Sequence, residues 1–337
     1  MKQIVCEQPD QLVMREAAEP QLAEGQAIVR IRRIGICGTD LHAYKGNQPF
    51  FTYPRVLGHE LAGEVEAVHP SVTEVRAGDR VTVIPYMECG QCIACRSGKT
   101  NCCTHMQVLG VHRDGGMSER IAVPASHLVV VNQLTLDQAA MLEPLSIGAH
   151  AVRRSGLQAG DTVLVIGAGP IGLGVMALAK HRGARVIAMD IQEERLAYCR
   201  RWAGAEETVH ALHNPKERLE HLTGGDYPLI VFDATGHAQS MMQALHYVAH
   251  GGTLVYVGLV KGEITFSDPE FHKRELTMMG SRNATREDFE LVVQAVESGR
   301  IDVDSFITHR AALDDMISEF AGWLRPEASV IKAVVEL

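Results

Sequence analysis

Three residues in the stretch 37–42 are able to carry alcohol chemistry. A thiol, a hydroxyl and an imidazole lie close together at Cys37, Thr39 and His42. A thiolate can bind zinc, a nearby hydroxyl can meet a substrate alcohol, and an imidazole can pass a proton to water. Gly38, directly after the thiol, would let the chain turn tightly. Taken alone, the same residues would equally suit a buried cysteine that happens to lie near a histidine.

Two further segments offer metal ligands. His59 and Glu60 supply a nitrogen and a carboxylate side by side, although a surface His–Glu pair would look the same. Glu143 precedes Pro144 within a stretch, 136–154, that has a helical pattern. A proline there should kink the helix or start a new one. Glu143 is therefore either the cap of a second helix or a fourth ligand to a metal.

Four cysteines give the strongest single signal. Cys89, Cys92 and Cys95 are each separated by two residues, and Cys103 follows eight residues later, with Cys102 left over. Four thiolates complete a tetrahedral zinc site with no open position, so this site would be structural. An iron–sulfur cluster and a redox switch are the alternatives, but the proline that follows bacterial cluster motifs is absent. A disulfide framework is less favoured because no export signal precedes the cysteines.

From residue 161 the pattern predicts alternating strands and helices. A buried strand, 162–166, leads into the glycine-rich turn 167–172, and an apolar helix follows. A second strand ends at Asp190, 18 residues past the last glycine of the turn. Glycines in this setting let a pyrophosphate approach the backbone, and the helix N-terminus favours its charge. Asp190 should hydrogen-bond the adenosine ribose and repel a 2′-phosphate, which predicts NAD rather than NADP. The candidate phosphate-binding residues are Gly167, Gly169, Pro170, Ile171 and Gly172.

The elements that must position these residues suggest an α/β protein of two domains. Short alternating segments before residue 130 favour antiparallel strands. Four more strand candidates after Asp190 complete a six-stranded, doubly wound parallel sheet. A helix at 286–298 and a terminal strand at 329–335 should return to the first domain. We therefore predict one domain from 1–148 and 284–337, and a cofactor domain from 149–283.

Composition narrows the class of protein. The 337 residues are 46% hydrophobic and 22% charged, which is typical of a soluble globular protein. The net charge of −9 and the lack of a long basic run argue against nucleic-acid and anionic-membrane partners. The N-terminus has no apolar signal segment, and the uncharged run 162–179 suits a strand, a turn and a helix better than a membrane span. We expect a cytoplasmic protein.

Together these motifs resemble the zinc-dependent medium-chain alcohol dehydrogenases, in their polyol (sorbitol) and threonine dehydrogenase branch. The resemblance spans essentially the whole chain. It implies a GroES-like catalytic domain beside the Rossmann cofactor domain, with NAD and two zinc ions per subunit, one catalytic and one structural. Zinc lobes of this family support subunit contacts, so a homodimer or homotetramer is expected. The motifs that carry the resemblance are 35–42, 58–60, the four cysteines, Glu143-Pro144 and 167–172.

The resemblance also implies roles for single residues. Cys37, His59 and Glu60 match ligands of the catalytic zinc, and Glu143 matches the glutamate that binds it directly or through water. Whether Glu60 or Glu143 is bound at rest stays open. Thr39 and His42 match the proton relay, and Glu60 is counted among the catalytic residues. Further cofactor contacts are predicted at Arg195, Val257, Gly258, Arg282 and Asn283.

Within the branch, the chain looks most like bacterial hexonate 5-dehydrogenases, which oxidise L-gulonate or L-galactonate. The segments 46–51, 266–273 and 280–284 carry this likeness, and L-gulonate is the preferred substrate. A sugar acid needs a cation for its carboxylate. Arg282, Lys273 and His112 are candidates, with Arg282 preferred because a guanidinium binds a carboxylate with two hydrogen bonds. Arg282 could instead contact the cofactor.

Other functions fit less well. A neutral polyol or L-threonine dehydrogenase is the second choice. A zinc-finger-like binding module would have basic flanks and no dinucleotide motif. A zinc-free reductase of the same fold would lack Cys37, His59 and the four cysteines. Phe50 and Phe51 could line the substrate cleft, although adjacent aromatic residues more often belong to the core and its rim.

Overall fold

The computed structural model describes residues 1–48 and 51–337 of the chain. Pro49 and Phe50, in one of the segments typical of hexonate dehydrogenases, lie outside the described residues. Phe51 is half-buried and its ring meets that of Tyr53 edge to face, 4.8 Å between centroids. Phe51 therefore packs against the core of its unit.

The described chain forms two compact units. One unit combines Met1–Glu143 with Thr285–Leu337, and the other is Pro144–Ala284. The predicted division at 148/149 and 283/284 stays a prediction. Its first boundary falls inside a helix whose first two residues belong to one unit and whose remainder belongs to the other.

Strands and helices alternate along the chain as follows. The strands of the described residues are β1 (Lys2–Gln8), β2 (Gln11–Glu16), β3 (Gln26–Ile36), β4 (Arg55–Val56), β5 (Glu60–Val68), β6 (Arg80–Val83), β7 (Tyr86–Met87), β8 (Gln107–Val108), β9 (Arg120–Pro124), β10 (Leu128–Val130), β11 (Thr162–Ile166), β12 (Arg185–Asp190), β13 (Glu207–His210), β14 (Ile230–Asp233), β15 (Thr253–Tyr256), β16 (Thr277–Gly280), β17 (His309–Ala312) and β18 (Ala333–Glu336). The α-helices are α1 (Gly38–Tyr44), α2 (Ile93–Arg96), α3 (Leu136–Ala140), α4 (Leu142–Arg154), α5 (Pro170–His181), α6 (Glu193–Tyr198), α7 (Pro215–Thr223), α8 (Ala238–Ala244), α9 (Asp268–Lys273), α10 (Arg286–Glu297) and α11 (Met316–Phe320). None of these helices combines the length and apolar character that a bilayer-spanning segment would need.

The first unit is built on sheets that are mainly antiparallel. Its largest sheet has the order β10-β6-β5-β3-β18-β17, and β9 also pairs with β3. Buried and partly buried residues alternate along the first part of β3, so that Ala27, Val29 and Ile31 face the core. Near its end, Gly35 lies opposite Glu60 of β5 and Val334 of β18. The expected return of the C-terminal strand to the first domain is therefore confirmed.

The second unit contains a parallel sheet of order β13-β12-β11-β14-β15-β16. Residues 163–166 of β11 are all buried, as expected for a central parallel strand covered on both faces. This strand order is that of a doubly wound dinucleotide-binding sheet, so the predicted fold class is confirmed. The carboxyl ends of the six strands meet at one edge, where ligands of such sheets bind.

Some element boundaries differ from the predictions. The helical stretch 136–154 breaks at Met141, and α4 then begins at Leu142 rather than at the proline. Helix α6 ends at Tyr198, and the chain continues as a π-helical turn up to Gly204, which has a left-handed conformation. The terminal strand begins only at Ala333, because a 3₁₀ turn and a left-handed Ser329 precede it.

Candidate functional site

Helix α1 presents the predicted proton relay. Cys37 is its N-cap in an extended conformation, and Gly38 is its first residue. The expected tight turn at Gly38 is wrong, because Gly38 is the first residue of the helix without a positive φ, and a Cβ there would meet nothing within 4 Å. Thr39 and His42 are three residues apart and so share a face of the helix. Thr39 is half-buried and His42 is exposed, as a path from a site to solvent requires.

Asp40 ties the two ligand-bearing segments together. This carboxylate is completely buried. Its Oδ2 accepts a hydrogen bond from the Cys37 N–H at 2.9 Å, and its Oδ1 accepts one from the Gly58 N–H at 3.2 Å. Oδ1 also lies 3.8 Å from His59 Nδ1. Asp40 therefore fixes the backbone on both sides of the site and approaches the imidazole.

The structure brings Cys37, His59 and Glu60 together. One donor atom from each lies within 4.8 Å of the other two. Glu60 is fully buried, and its Oε2 has no hydrogen-bond partner within the described part of the chain. A buried carboxylate oxygen without a partner is costly, and a cation would satisfy it. The thiol, imidazole and carboxylate therefore fit a zinc ion with an open fourth position.

Gly35 makes room for the Glu60 carboxylate. A Cβ at Gly35 would lie 2.0 Å from Glu60 Oε2 and 3.0 Å from Met141 Cε. Gly35 does not have a positive φ angle, so backbone strain does not explain why a glycine occupies this position. The absence of a side chain is what admits the carboxylate to this place.

Lys332 supplies the opposite charge. It is almost completely buried, and its Nζ donates to Glu60 Oε1 and, at 3.1 Å, to the Ile36 carbonyl. Burial is the largest single effect and would lower the pKa of Lys332, but Glu60, Cys37 and Glu143 together outweigh it and the pKa is raised. The amine therefore stays protonated and holds one oxygen of Glu60, which leaves the other for a metal.

Glu143 lies beside this cluster. It does not belong to the group of Cys37, His59 and Glu60, whose donor atoms all lie within 4.8 Å of one another. It lies in the first turn of α4 and is 3% exposed. The Tyr86 hydroxyl donates a hydrogen bond to its Oε1. Burial, and after it the Glu60 carboxylate, raise the pKa of Glu143 to about 7 against the opposing effect of His59.

The four cysteines at 89, 92, 95 and 103 also come together. Their sulfurs lie within 4.8 Å of one another, and Cys92 Sγ is 3.4 Å from Cys95 Sγ, too far for a disulfide. Backbone N–H groups of Cys95 and Thr104 lower the pKa of Cys92 to about 5. Such donors stabilise thiolate, the form that binds metal. Cys102 is exposed and is not part of the group.

The glycine-rich turn after β11 has the form expected for a pyrophosphate site. Gly167 has a φ of +97°, and a Cβ at Gly172 would lie 1.8 Å from the Gly167 carbonyl oxygen. Gly169 caps α5, and Pro170 occupies the first turn, where its missing N–H does no harm. Ile171 and Gly172 follow in the same turn of the helix.

A cleft of about 590 Å³ opens beside this turn in the second unit. Of the predicted cofactor residues, Gly167, Gly169, Asp190 and Arg195 line it. Asp190 ends β12, and its two oxygens accept hydrogen bonds from the N–H groups of Ala168 at 2.7 Å and Gln192 at 2.9 Å. Two backbone hydrogen bonds therefore hold the carboxylate in the lining of the cleft.

Four other predicted cofactor residues, at a different place in the chain, do not line this cleft. Val257 and Gly258 follow β15, where both N–H groups donate to the Asp233 carbonyl at 2.9 Å. Arg282 and Asn283 follow β16, and Asn283 has a left-handed φ of 53°. All four lie past the carboxyl ends of parallel strands, which is the edge where dinucleotides bind.

Sequence reasoning missed several contributors to the metal cluster. Asp40 and Gly35 both lie within the motif 35–42, but the motif alone assigns neither of them a role. Lys332 carried one available signal, a charged residue inside the apolar run 330–335. Tyr86 gave no signal that distinguishes it from a core tyrosine.

Two family models match most of the chain. The family model of the alcohol dehydrogenase GroES-like domain matches residues 23–133, and that of the zinc-binding dehydrogenase matches residues 170–298. L-Galactonate-5-dehydrogenase of Escherichia coli K12 is 43% identical over 335 residues, covering 99% of this chain and 98% of the relative. L-Threonine 3-dehydrogenase of Bacillus velezensis is 34% identical and covers 91% of this chain and 90% of the relative.

Among solved structures, an alcohol dehydrogenase of Escherichia coli CFT073 in complex with NADH superposes with a TM-score of 0.94. It is 31% identical to this chain, and the match covers 100% of this chain and 99% of that one.

Proposed function

Since the chain belongs to the zinc-dependent medium-chain alcohol dehydrogenases, we propose that it oxidises the C5 hydroxyl of a hexonate. As a member of this family it acts on a CH–OH group with NAD. L-Gulonate would yield D-fructuronate, and L-galactonate would yield D-tagaturonate. The 43% identity with an L-galactonate-5-dehydrogenase along 99% of this chain carries the proposal.

We assign the catalytic zinc to Cys37, His59 and Glu60. When bound, zinc acts as a Lewis acid that lowers the pKa of the alcohol, and NAD accepts the hydride. Cys37 and Glu60 together would balance the charge of the ion, while Lys332 holds the other oxygen of Glu60. The structural zinc is assigned to the four cysteines of the lobe 89–103.

Thr39 and His42 would move the alcohol proton. The Thr39 hydroxyl accepts the proton of the substrate alcohol and passes its own on. His42, exposed on the same face of α1, delivers the proton to solvent.

The substrate carboxylate needs a cation, and Arg282 is our choice. The amine of Lys273 is already 2.6 Å from Glu270 on the surface of α9. His112 Nδ1 accepts a hydrogen bond from the Val108 N–H at 3.0 Å. Arg282 follows a strand at the ligand-binding edge of the parallel sheet, and its guanidinium can bind a carboxylate with two hydrogen bonds.

The proposal extends to assembly and location. We propose a homodimer or homotetramer, because the zinc lobes of this family support subunit contacts. We propose a cytoplasmic enzyme, and the eight unpaired cysteines support a reducing compartment.

A substrate screen tests the function. We expect NADH formation from L-galactonate and L-gulonate with a kcat/KM about 10–100-fold above that for sorbitol, the range expected for a charge-assisted hydrogen bond. Arg282→Ala should remove this advantage and leave sorbitol oxidation unchanged, whereas Lys273→Ala is the matched control that should keep it. A preference for L-threonine or a neutral polyol would favour the second candidate function. The match to L-threonine 3-dehydrogenase supports that candidate.

A further inference from the structure

Tyr86 connects the short strand pair β7–β8 to the metal cluster. It lies in β7, where it pairs with Val108 of β8, and it is 5% exposed. The hydroxyl donates its hydrogen bond to Glu143 Oε1, so the partner of the phenol is a carboxylate and not a backbone group. A buried tyrosine can satisfy its hydroxyl in many ways, and this choice places it next to the reaction.

Glu143 is close to the cluster yet separate from it. It interacts electrostatically with His59, Glu60 and Lys332. Even so, Glu143 is not a member of the group of three described residues, Cys37, His59 and Glu60, whose donor atoms all lie within 4.8 Å of one another. A carboxylate is a good zinc ligand, so a contact within the protein has to hold Glu143 away from the metal cluster.

We propose that Tyr86 is a positioning residue: its hydroxyl holds Glu143 outside the ligand set of Cys37, His59 and Glu60. The position that Glu143 would otherwise take stays available for the substrate alcohol. The inference rests on the proposed function, because it assumes that these three residues hold the catalytic zinc.

The physical reason is the cost of a buried acceptor without a donor. Tyr86→Phe removes the hydroxyl and leaves the shape of the ring almost unchanged. Glu143 Oε1 then loses its donor at a place that is only 3% exposed, and an unpaired buried carboxylate oxygen is costly. A metal ion at the cluster is the strongest available partner, so the carboxylate should turn to it and close the open position.

Three measurements on the zinc-loaded enzyme test this step. Tyr86→Phe should slow zinc release to a colorimetric chelator by about tenfold or more, and lower kcat/KM by about 10–100-fold, the range typical of residues that orient ligands. The visible spectrum of the cobalt-substituted enzyme should change with the added oxygen ligand. Zinc release at the wild-type rate or faster, with an unchanged cobalt spectrum, would overturn the inference even if stability fell.

Glu143→Gln provides an independent test. An amide is a poor zinc ligand, and Glu143 is no ligand at rest in this account, so zinc release should keep its wild-type rate. Release accelerated tenfold would mean that Glu143 binds the resting metal, which contradicts the inference. In a Tyr86→Phe, Glu143→Gln double variant the slowing should vanish, since no carboxylate remains to turn.

Two controls separate the possible failures. Tyr256→Phe also removes a phenol hydrogen bond, from a half-buried tyrosine, 2.7 Å to the Met241 carbonyl in the second unit, and should leave zinc release and the cobalt spectrum unchanged. Cys37→Ala should lose one zinc per chain. If it kept both and stayed active, the proposed function would fail; if it lost one while Tyr86→Phe behaved as wild type, only the role of Tyr86 would fail.

Discussion

Replacing Gly35 with alanine should push the Glu60 carboxylate out of the metal cluster. The new Cβ would lie 2.0 Å from Glu60 Oε2 and 2.9 Å from Glu60 Cβ, distances that no real pair of atoms keeps. Gly35 and Glu60 are direct partners in the pairing of β3 with β5, so the strands cannot separate without breaking the sheet. The side chain of Glu60 therefore has to move, and its contact with Lys332 is disturbed as well.

Two effects determine how much stability and activity Gly35→Ala should lose. Overpacking a buried strand costs about 1–3 kcal/mol of unfolding free energy. Misplacing a ligand should cost at least as much as losing a residue that orients one, on the order of 10–100-fold in metal affinity or activity. We therefore expect Gly35→Ala to be folded but deficient in zinc, with kcat/KM lowered by at least that factor.

The assays are chemical denaturation, zinc content per chain and steady-state kinetics. Gly63→Ala is the matched control, because its Cβ would lie 2.2 Å from the Arg30 carbonyl oxygen in the same sheet without touching Glu60. It should lose stability and keep its zinc. A Gly35→Ala enzyme with full zinc content and kcat/KM within about twofold of wild type would refute the reasoning.

Four further changes probe other parts of the account. Lys332→Met leaves the buried Glu60 charge without its partner and should cost about 3–5 kcal/mol in urea unfolding of the zinc-free protein; a change below about 1 kcal/mol would speak against the pair. Asp190→Ser removes the repulsion of a 2′-phosphate and should raise the NADP/NAD ratio of kcat/KM about tenfold or more; an unchanged ratio would deny Asp190 this role. His42→Ala should lower kcat chiefly at low pH, where hydroxide cannot replace the relay, and an unaltered pH profile would exclude the relay. Cys92→Ser should reduce zinc from two ions to one per chain and weaken the lobe, which metal analysis and thermal unfolding would detect; full zinc content would place the second ion elsewhere.

Local spacing explains what could be predicted from the sequence. The four cysteines lie within fifteen positions, 89–103, and the glycine turn with Asp190 is a single strand–helix–strand unit. In both cases the chemistry needs only neighbours along the chain. The parallel sheet followed from the alternation of strands and helices, which determines its class without tertiary knowledge.

The rest depends on contacts between distant residues. Lys332 meets Glu60 across 272 positions, and Tyr86 meets Glu143 across 57. A lysine in an apolar run and a tyrosine near a cysteine motif have no local feature that identifies their partners. Only the pairing of β18 with β3 brings Lys332 to the metal cluster, and that register is a property of the folded sheet.

The most direct test of the central claim is anomalous X-ray scattering at the zinc edge, recorded from crystals of active enzyme. The account predicts two peaks per chain. One should lie about 2.3 Å from Cys37 Sγ and about 2.0–2.1 Å from a ring nitrogen of His59, and the other should lie among the four sulfurs of the lobe. A single peak in the lobe, with Cys37 and His59 bare in an enzyme that still oxidises alcohols, would contradict it.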